Sequence, residues 1–600
     1  MNPAPARAAI PPRGDWGWLA LVLVAAVVAR ADEVRHAAVL IDADSALGAL
    51  MGQRIWREAA HGYLPLMLDG QDYLGSLEAF FYAPFNALAP LATAMGAAET
   101  VLVCATLVLL HAMLRTVVGR AAALSGVLVV AIATPVATEF TTVAPMGYVS
   151  NLAIGLLLVF VAHRYAAAPV SPRRLAVLGL VVGIGYWNSP QVAPYALAAV
   201  LALVPRSAVF AASRRGELFG TAAQRGAAAL VLACALALGA TLALQLGGPV
   251  EIAGLSLSRP DRYSPRAAVA LALALLLFDL ACARERARWL GGLSAALAGA
   301  AVGAAPLLAY KAFWPPTGIV PTLQFRLAEV VPNVPIVGGK VTELLVGPPV
   351  WDATVVAFPG YGAWRIAILA SFTLALAWLL ATRWRDVLAL ARLRAERVPL
   401  PLLLVVPAAV TLVQLLLRGG IQWSRYFVVL LPVVAIAVAV GVHALVARGW
   451  RRAALAWVAV LVAGYVLQQV DRAVRLARRD PVEARVVESL RRAGLVHGYG
   501  QYWTCYRLNA IADGALFLDC NYDGGDNYHR FPHNALAIAR HPGDLVRLYD
   551  LGREDREDGA LLALFLDAGD RAGWGTVTER RAWGGGRYVA LRYARRAGVR

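Results

Sequence analysis

The stretch of sequence that decides the fold runs from Val39 to Ala97 and reads VLIDADSALGALMGQRIWREAAHGYLPLMLDGQDYLGSLEAFFYAPFNALAPLATAMGA. Asp42 and Asp44 stand at its entrance, directly before a helix-patterned run that places four apolar residues on one face: Leu47, Leu50, Met51 and Ile55. An apolar helix face of this kind suits the membrane boundary. The stretch follows a first hydrophobic segment and precedes many others, so we expect it to lie at the membrane surface, with the rest of the chain as its scaffold.

The composition sets the class of protein. The 600 residues are 59% hydrophobic and 16% charged, whereas soluble domains carry about 25% charged residues. The net charge of +18 could indicate a nucleic-acid partner, but the arginines lie in short clusters between hydrophobic segments and not along one polar face. The sequence therefore predicts an all-α polytopic membrane protein without a nucleic-acid partner.

About thirteen hydrophobic segments are candidates for membrane spans, which need about 20 apolar residues each. They are Trp16–Val28, Thr100–Val118, Ala121–Ala137, Asn151–Val161, Leu175–Trp187, Val192–Val204, Gly226–Leu246, Ala267–Ala281, Trp289–Tyr310, Trp364–Ala381, Val398–Leu417, Tyr426–Ala447 and Ala453–Val470. For the first segment a signal peptide is the alternative interpretation, because it has a basic start and a short apolar core.

Arginines predict the orientation. If the N-terminal tail is cytoplasmic, the Arg-rich connections fall on the cytoplasmic side, as the positive-inside rule requires. The membrane domain, 1–470, then has two long outer loops, 31–97 and 311–362, and the tail, 471–600, lies outside as well. In a bacterium this describes an inner (plasma) membrane protein whose C-terminal domain faces the periplasm or exterior.

The tail alternates a helix-like run with short strand-like pieces such as HGYGQYWTCYRL and ALFLDC, which predicts a small α/β or α+β domain. In an oxidising compartment a disulfide between Cys505 and Cys520 is one expectation, and two free thiols are the other. The aromatic cluster of Tyr499, Tyr502, Trp503 and Tyr506 has two interpretations as well, a sugar-stacking surface or the core of the small domain.

Several segments together resemble a family. They are the acid pair followed by GQDYLGSLEAFFYAPFNAL, then MGYVSNLAIGLLL, GIGYWNSP, RYFVVLLP and GYGQYWTCYRL. The chain resembles the GT-C superfamily of membrane glycosyltransferases over about residues 40 to 520, in particular the bacterial branch related to protein mannosyltransferases and lipid A aminoarabinose transferases. The resemblance implies a GT-C fold and the transfer of a sugar, with inversion, from a polyprenyl-phosphate carrier to a cell-envelope acceptor (lipid, glycan or protein) at the outer face. Family members usually show Asp-Glu at the loop entrance, whereas here Asp44 is followed by Ser45.

The chemistry of sugar transfer from a lipid phosphate suits these residues independently of the family resemblance. A sugar on a lipid phosphate already carries its leaving group, so the reaction needs a carboxylate to accept the acceptor's proton and positive charge to hold the phosphate. We predict Asp44 as the base, with Asp42 supporting it; the alternative for Asp44 is a helix N-cap. A further prediction is a divalent cation shared by Asp42, Asp44 and Glu139. The alternative interpretation of Glu139 is that it simply marks a membrane boundary.

Substrate contacts are predicted at five residues: Gln71, Tyr73, Glu78, Arg425 and Tyr426. The first three are candidates for holding acceptor hydroxyls or orienting the base, or else are polar residues of an interfacial helix. Arg425 is the preferred phosphate ligand among the outer cations Arg326, Lys340, Arg418 and Arg425; with Tyr426 it could instead be a membrane-belt anchor.

Two other functions remain open. One is a membrane transporter or flippase of lipid-linked glycans. The scarcity of charges inside the predicted spans argues against it. The other is an O-antigen polymerase or ligase, which also uses lipid-linked sugars.

Overall fold

The fold is described from a computed structural model. It describes residues 13–68, 71, 73–167, 171–247, 251–252, 255–256, 264–313, 325–348, 358, 360–418, 424–479, 481–520, 532–551, 576–583 and 586–594. Most of these residues are helical, and the strands are concentrated near the C-terminus.

The first half of the membrane domain contains eleven α-helices in the described residues. They are α1 (Arg13–Arg35), α2 (Ala37–Leu40), α3 (Ala43–Glu58), α4 (Leu77–Tyr82), α5 (Leu91–Val118), α6 (Arg120–Ile132), α7 (Pro135–Glu139), α8 (Val149–Ala166), α9 (Pro172–Asn188), α10 (Ala193–Leu203) and α11 (Ala208–Arg214).

The second half adds nine helices and a short antiparallel strand pair. The helices are α12 (Ala222–Gly247), α13 (Ser264–Cys282), α14 (Arg286–Gly303), α15 (Ala305–Phe313), α16 (Val330–Val346), α17 (Tyr361–Ala391), α18 (Leu400–Leu417), α19 (Leu431–Ala447) and α20 (Arg451–Arg478). The strands are β1 (Glu251–Ile252) and β2 (Leu255–Ser256). Helix α16 falls in the predicted outer loop 311–362, of which residues 314–324, 349–357 and 359 lie outside the described part.

Eight helices in the described part of the chain are long and apolar enough to cross a membrane. A ninth counts if α14 and α15, which meet at 66°, form one broken span. The chain is therefore a multi-pass membrane protein, as predicted. Each of the thirteen predicted segments overlaps a helix, but the number of spans is not confirmed, because α6 has 13 residues and about 20 are needed.

Arg30 is a buried charge near the end of α1 that sequence reasoning missed. Its guanidinium donates to the carbonyl oxygen of Ala131 at 2.8 Å and to Thr141 Oγ1 at 3.0 Å. These bonds tie α1 to the end of α6 and to the turn after α7. A charged side chain inside a helical bundle is tolerated only with such partners.

The C-terminal domain combines helices with a mixed sheet, which confirms that a small helix-and-sheet unit follows the spans. Its elements are α21 (Val482–Arg492), β3 (His497–Gly500), α22 (Tyr502–Ile511), β4 (Phe517–Cys520), α23 (Pro532–Arg540), β5 (Leu545–Asp550), β6 (Thr576–Trp583) and β7 (Tyr588–Ala594). The strand order is β4-β3-β5-β7-β6, with β3, β4 and β5 parallel and β6 and β7 antiparallel to their neighbours.

Helix α3 lies between the membrane domain and this C-terminal domain. Leu47, Met51 and Ile55 are buried on one face, as the sequence pattern predicts. The expected environment of that face was wrong, however, because it packs in a protein core that includes Tyr506 and Ala510 of α22 and not against lipid. The C-terminal domain thus covers the helix that carries the acid pair.

Candidate active site

Both predicted acids lie at the N-terminal end of α3. The Asp42 carboxylate accepts a hydrogen bond from the backbone N–H of Ser45 at 2.8 Å and caps the helix. Asp44 lies within the helix. The N-cap role, which the sequence suggested as an alternative for Asp44, is therefore taken by Asp42. Negative side chains are favoured at this end because the exposed N–H groups of the first turn carry partial positive charge.

Arg425 lies between the two acids, far away in the sequence. Its Nη1 donates to Asp44 Oδ2 at 2.7 Å and is 3.8 Å from Asp42 Oδ2. The guanidinium carbon is 5.7 Å from the centre of the Tyr148 ring and 5.9 Å from that of Tyr426. Since 12% of the arginine side chain is exposed, the ion pair is shielded from solvent on most sides.

The second oxygen of Asp44 is held by the C-terminal domain. The hydroxyl of Tyr502, the first residue of α22, donates to Asp44 Oδ1 at 2.6 Å. Asp44 is therefore fixed by one donor from each domain. Tyr506 of the same aromatic cluster is a core residue, so both interpretations of that cluster apply, to different members.

A cavity of about 570 Å³ opens beside Asp44. Four of the sequence segments that carry the family resemblance contribute to its wall: Gln71 and Tyr73 from GQDYLG, Tyr148 and Asn151 from MGYVSN, Ser189 and Pro190 from YWNSP, and Arg425 and Tyr426 from RYFVV. Segments more than 300 residues apart in the sequence thus meet at one place. Its remaining wall is largely apolar and includes Leu152, Tyr195, Leu415, Val428 and Val429.

The loop that carries Gln71 and Tyr73 is fixed by a close approach of two backbones. The N–H of Gly75 donates to the carbonyl oxygen of Asn188 at 3.1 Å. A Cβ atom on Gly75 would lie 2.4 Å from the carbonyl oxygen of Trp187, so a side chain has no room there. The indole N–H of Trp187 in turn donates to the carbonyl oxygen of Leu66 at 2.7 Å.

Glu78 does not line the cavity, although it is a predicted substrate contact. It is buried, and its carboxylate accepts from the backbone N–H groups of Gly147 at 2.6 Å and Ser150 at 3.0 Å. Burial raises the pKa of Glu78, and these hydrogen bonds oppose the rise. Glu78 therefore positions the start of α8, where the cavity residues Tyr148, its N-cap, and Asn151 lie.

A second, smaller cavity of about 200 Å³ lies beside Asp42. Asp44 lines the larger cavity, whereas Asp42 and Ala43 line the smaller one. Two-fifths of the Asp42 side chain is exposed, and the residue lines this smaller cavity. Burial accordingly raises the pKa of Asp42, and the neighbouring Asp44 carboxylate raises it further, while Ser45 and Arg425 oppose the rise.

The predicted metal site is not formed. Among the described residues no group of three or more His, Cys, Asp or Glu side chains is placed to hold a metal ion. Glu139 pairs with Arg472, and Asp44 pairs with Arg425. Arginine therefore provides the positive charge for which the sequence suggested a divalent cation.

The other predicted cations lie in different places. Arg418 lines the larger cavity, with its guanidinium carbon 5.1 Å from the centre of the Tyr426 ring. Lys340 forms an ion pair with Glu343 at 3.0 Å, and Arg326 does not line the cavity. Two of the four outer arginine and lysine candidates thus reach the larger cavity.

The predicted disulfide stays a prediction. Cys505 is buried, and its thiol donates to the carbonyl oxygen of Asp519 at 3.5 Å. The side chain of Cys520 lies outside the described residues.

No family profile and no curated protein sequence matches the chain. Solved structures do align with it over most of its length. Oligosaccharyltransferase AglB from Archaeoglobus fulgidus, in complex with an inhibitory peptide and a dolichol-phosphate, is 11% identical, and the alignment covers 89% of this chain and 69% of AglB with a TM-score of 0.44. ArnT from Cupriavidus metallidurans, bound to undecaprenyl phosphate, is also 11% identical, and its alignment covers 96% of this chain and 98% of ArnT with a TM-score of 0.35. Both TM-scores lie below 0.5, so the function of this chain is inferred from its own residues.

Proposed function

We propose that the protein is an inverting glycosyltransferase of GT-C type that moves a sugar from a polyprenyl-phosphate carrier to a cell-envelope acceptor at the outer face of the bacterial inner membrane. The observation that carries the proposal is the larger cavity, which combines a carboxylate–arginine pair with apolar walls at the ends of membrane helices. The outer-face assignment is supported by the distribution of arginines among the loops.

The walls of this cavity suit the parts of such a donor. Leu415, near the end of α18, and Val428 and Val429, before α19, offer an apolar surface for an isoprenoid chain. Asn151 is buried, and its amide nitrogen has no hydrogen-bond partner among the described residues. An amide donor in a cavity wall suits a sugar hydroxyl, since a buried donor that stays unsatisfied is costly.

Two arginines are placed for the phosphate. Arg425 and Arg418 both line the larger cavity and both lie near the ring of Tyr426. A guanidinium presents five N–H donors in a planar fork, so Arg425 can hold Asp44 and a phosphate at the same time. In this proposal Asp44 orients Arg425 while the arginines stabilise the departing phosphate.

Asp42 is then the better candidate for the base, which exchanges the roles that the sequence suggested. Both oxygens of Asp44 already accept short hydrogen bonds, from Arg425 and from Tyr502. Asp42 has the longer contact to Arg425, a raised pKa and a partly exposed carboxylate that faces the smaller cavity. A carboxylate whose pKa is raised accepts a proton more readily than an ordinary aspartate.

The proposed step is a single displacement. The acceptor's hydroxyl oxygen attacks the anomeric carbon from the side of the smaller cavity and gives its proton to Asp42. The bond from that carbon to the phosphate oxygen breaks on the opposite side, and its electron pair leaves with the polyprenyl phosphate beside Arg425 and Arg418. Attack and departure on opposite sides invert the configuration.

Release of free polyprenyl phosphate tests this function. The purified full chain is incubated with a mixed pool of polyprenyl-phosphate sugars, with membrane extract as the acceptor. We expect release by the wild type, and a loss of roughly a hundredfold or more in Asp42→Asn, because general bases contribute at least that much. Asp32→Asn is the matched control, since Asp32 is a surface carboxylate paired with Arg35 at the end of α1.

Two other outcomes would contradict the proposal. Full release by Asp42→Asn with loss in Asp44→Asn would assign the base to Asp44 and overturn the exchange of roles. No release by the wild type from any donor would overturn the transferase and favour a transporter of lipid-linked glycans.

A further inference from the structure

The smaller cavity lies where the C-terminal sheet changes direction. Strand β3 pairs in parallel with β4 on one side and with β5 on the other, so the chain leaves β3 through α22 towards β4 and returns through α23 to β5. In open parallel sheets, ligands bind at the carboxyl ends of the strands beside such a switch point. Two residues from this edge line the cavity, Thr504 in the first turn of α22 and Asp550 at the end of β5.

The carboxylates of the cavity wall already have cationic partners. Asp550 accepts from Arg587 at 3.1 and 3.2 Å. Glu139 pairs with Arg472, and Asp42 lies 3.8 Å from Arg425. Each carboxylate of this wall therefore has an arginine within 4 Å, and Arg425 is shared between Asp42 and Asp44.

The two arginines of the cavity wall differ in their partners. Arg507 donates to the carbonyl oxygen of Val39 at 3.0 Å and pairs with Glu483 at 3.1 Å. Arg479 also lines the cavity, at the end of α20, and within the described part of the chain its side chain has neither an ion pair within 4 Å nor a hydrogen bond. The Arg479 guanidinium thus lies in the cavity wall without a direct side-chain partner in the described part of the chain, and Glu483 and Glu139 interact with it at longer range.

A hydroxyl group in the same wall also lacks a partner. Thr504 is 3% exposed, and its Oγ1 makes no hydrogen bond among the described residues. A cation and a hydroxyl donor in the wall of one small cavity suit an oxyanion, because hydrogen bonds to a charged group are stronger than those between neutral groups.

We propose that the smaller cavity binds the anionic group of the glycosyl acceptor, a phosphate or a carboxylate held by Arg479 and Thr504, so that the hydroxyl beside it meets Asp42. This inference rests on the proposed transferase function. It adds that acceptors carry a negative group close to the hydroxyl that receives the sugar.

Binding of small probes tests the site directly. Glucose 6-phosphate, glucuronate and glucose are titrated into the purified full chain in neutral detergent. We expect the two anionic sugars to bind more tightly than glucose, and Arg479→Gln to weaken their binding by roughly tenfold or more, as for the loss of a hydrogen bond to a charged group. Arg478→Gln is the matched control, since the neighbouring Arg478 does not line the cavity. Equal binding by Arg479→Gln and wild type, or equal binding of glucose, would overturn the proposal.

The source of the anion is separated by repeating the titration in phosphatidylcholine nanodiscs with and without phosphatidylglycerol. Competition by the anionic lipid would support a lipid headgroup at the Arg479 site, and unchanged binding would support a soluble or glycan-borne anion at the same site.

Polyprenyl phosphate release separates this inference from the proposed function. A normal KM for membrane-extract acceptors in Arg479→Gln would overturn the acceptor role and leave the transferase intact, whereas an increased KM with unchanged donor binding would support it. Anion binding at Arg479 without any donor-dependent release by the wild type would overturn the transferase, and the acceptor role with it.

Discussion

At the residue scale, the spacing of Asp42 and Asp44 decides what the two acids can do. Asp42 is the N-cap and Asp44 lies in the first turn of α3, so the two carboxylates line different cavities while both remain within 4 Å of Arg425 Nη1. In the proposed reaction Asp44 belongs to the donor side and Asp42 to the acceptor side.

The pH profile of transfer is expected to report Asp42. The base must be deprotonated, so kcat/KM falls as the pH drops through the pKa of Asp42, and because that pKa is raised, the acid limb lies above the range of an ordinary aspartate. Asp44→Asn removes the neighbouring negative charge and leaves Arg425 to Asp42, which lowers the pKa of Asp42. The acid limb of kcat/KM should therefore move to lower pH in Asp44→Asn and stay in place in Asp32→Asn. A limb that does not move in Asp44→Asn would contradict Asp42 as the base.

At the element scale, sequence patterns predicted the helices well and their partners poorly. The run after Asp44 predicts the buried face of α3 because helical periodicity is local, but the tail that covers this face is more than 400 residues away in the sequence. For the same reason the sequence found Arg425 and Asp44 separately and could not pair them. Arg30 was missed because a single charge at the end of an apolar run resembles a loop residue, and only its bonds to Ala131 and Thr141 show that it is buried.

The packing of α9 against α14 was not predicted, but once the structure is known the sequence explains it. Small residues allow the two backbones to touch: a Cβ on Gly299 would lie 2.0 Å from the carbonyl oxygen of Ala176, and one on Gly179 would lie 2.0 Å from that of Ala296. Close contact through glycine and alanine is a common way for helices to associate in membranes, where apolar burial alone gives little drive.

Gly299→Ala should therefore destabilise the protein by about 1–3 kcal/mol, because the helices must separate to admit one methyl group. Gly291→Ala, in the same helix, is the control, since its Cβ would meet nothing within 4 Å. It should be neutral or slightly stabilising, as alanine is the better helix former. Thermal unfolding of both variants in detergent measures the difference, and equal stability would contradict the observed crossing.

At the scale of the whole molecule, the C-terminal domain completes the site that the membrane domain begins. Asp513 lies in a left-handed turn after α22, and its carboxylate accepts from Gln53 Nε2 of α3 and from the backbone N–H of Leu91, both at 3.0 Å. Such bonds fix the domain to α3 and to the start of α5. The loop, the spans and the tail are thereby one unit around the acid pair, whereas the sequence divided them into separate parts.

Tyr502→Phe tests whether this unit matters for transfer. The change removes the 2.6 Å hydrogen bond from the C-terminal domain to Asp44 and keeps the ring, which packs against Trp503 and Tyr506. Asp44 then loses one of its two donors and holds Arg425 less firmly, so we expect kcat/KM for polyprenyl phosphate release to fall by roughly tenfold, as for a lost hydrogen bond to a charged group. The melting temperature should change little, and Tyr186→Phe, at an exposed position of α9, should behave as the wild type. If Tyr502→Phe transfers sugar at the wild-type rate, the C-terminal domain supports the fold of α3 but not the chemistry. A tenfold loss at unchanged stability would instead mean that both domains hold the reacting groups.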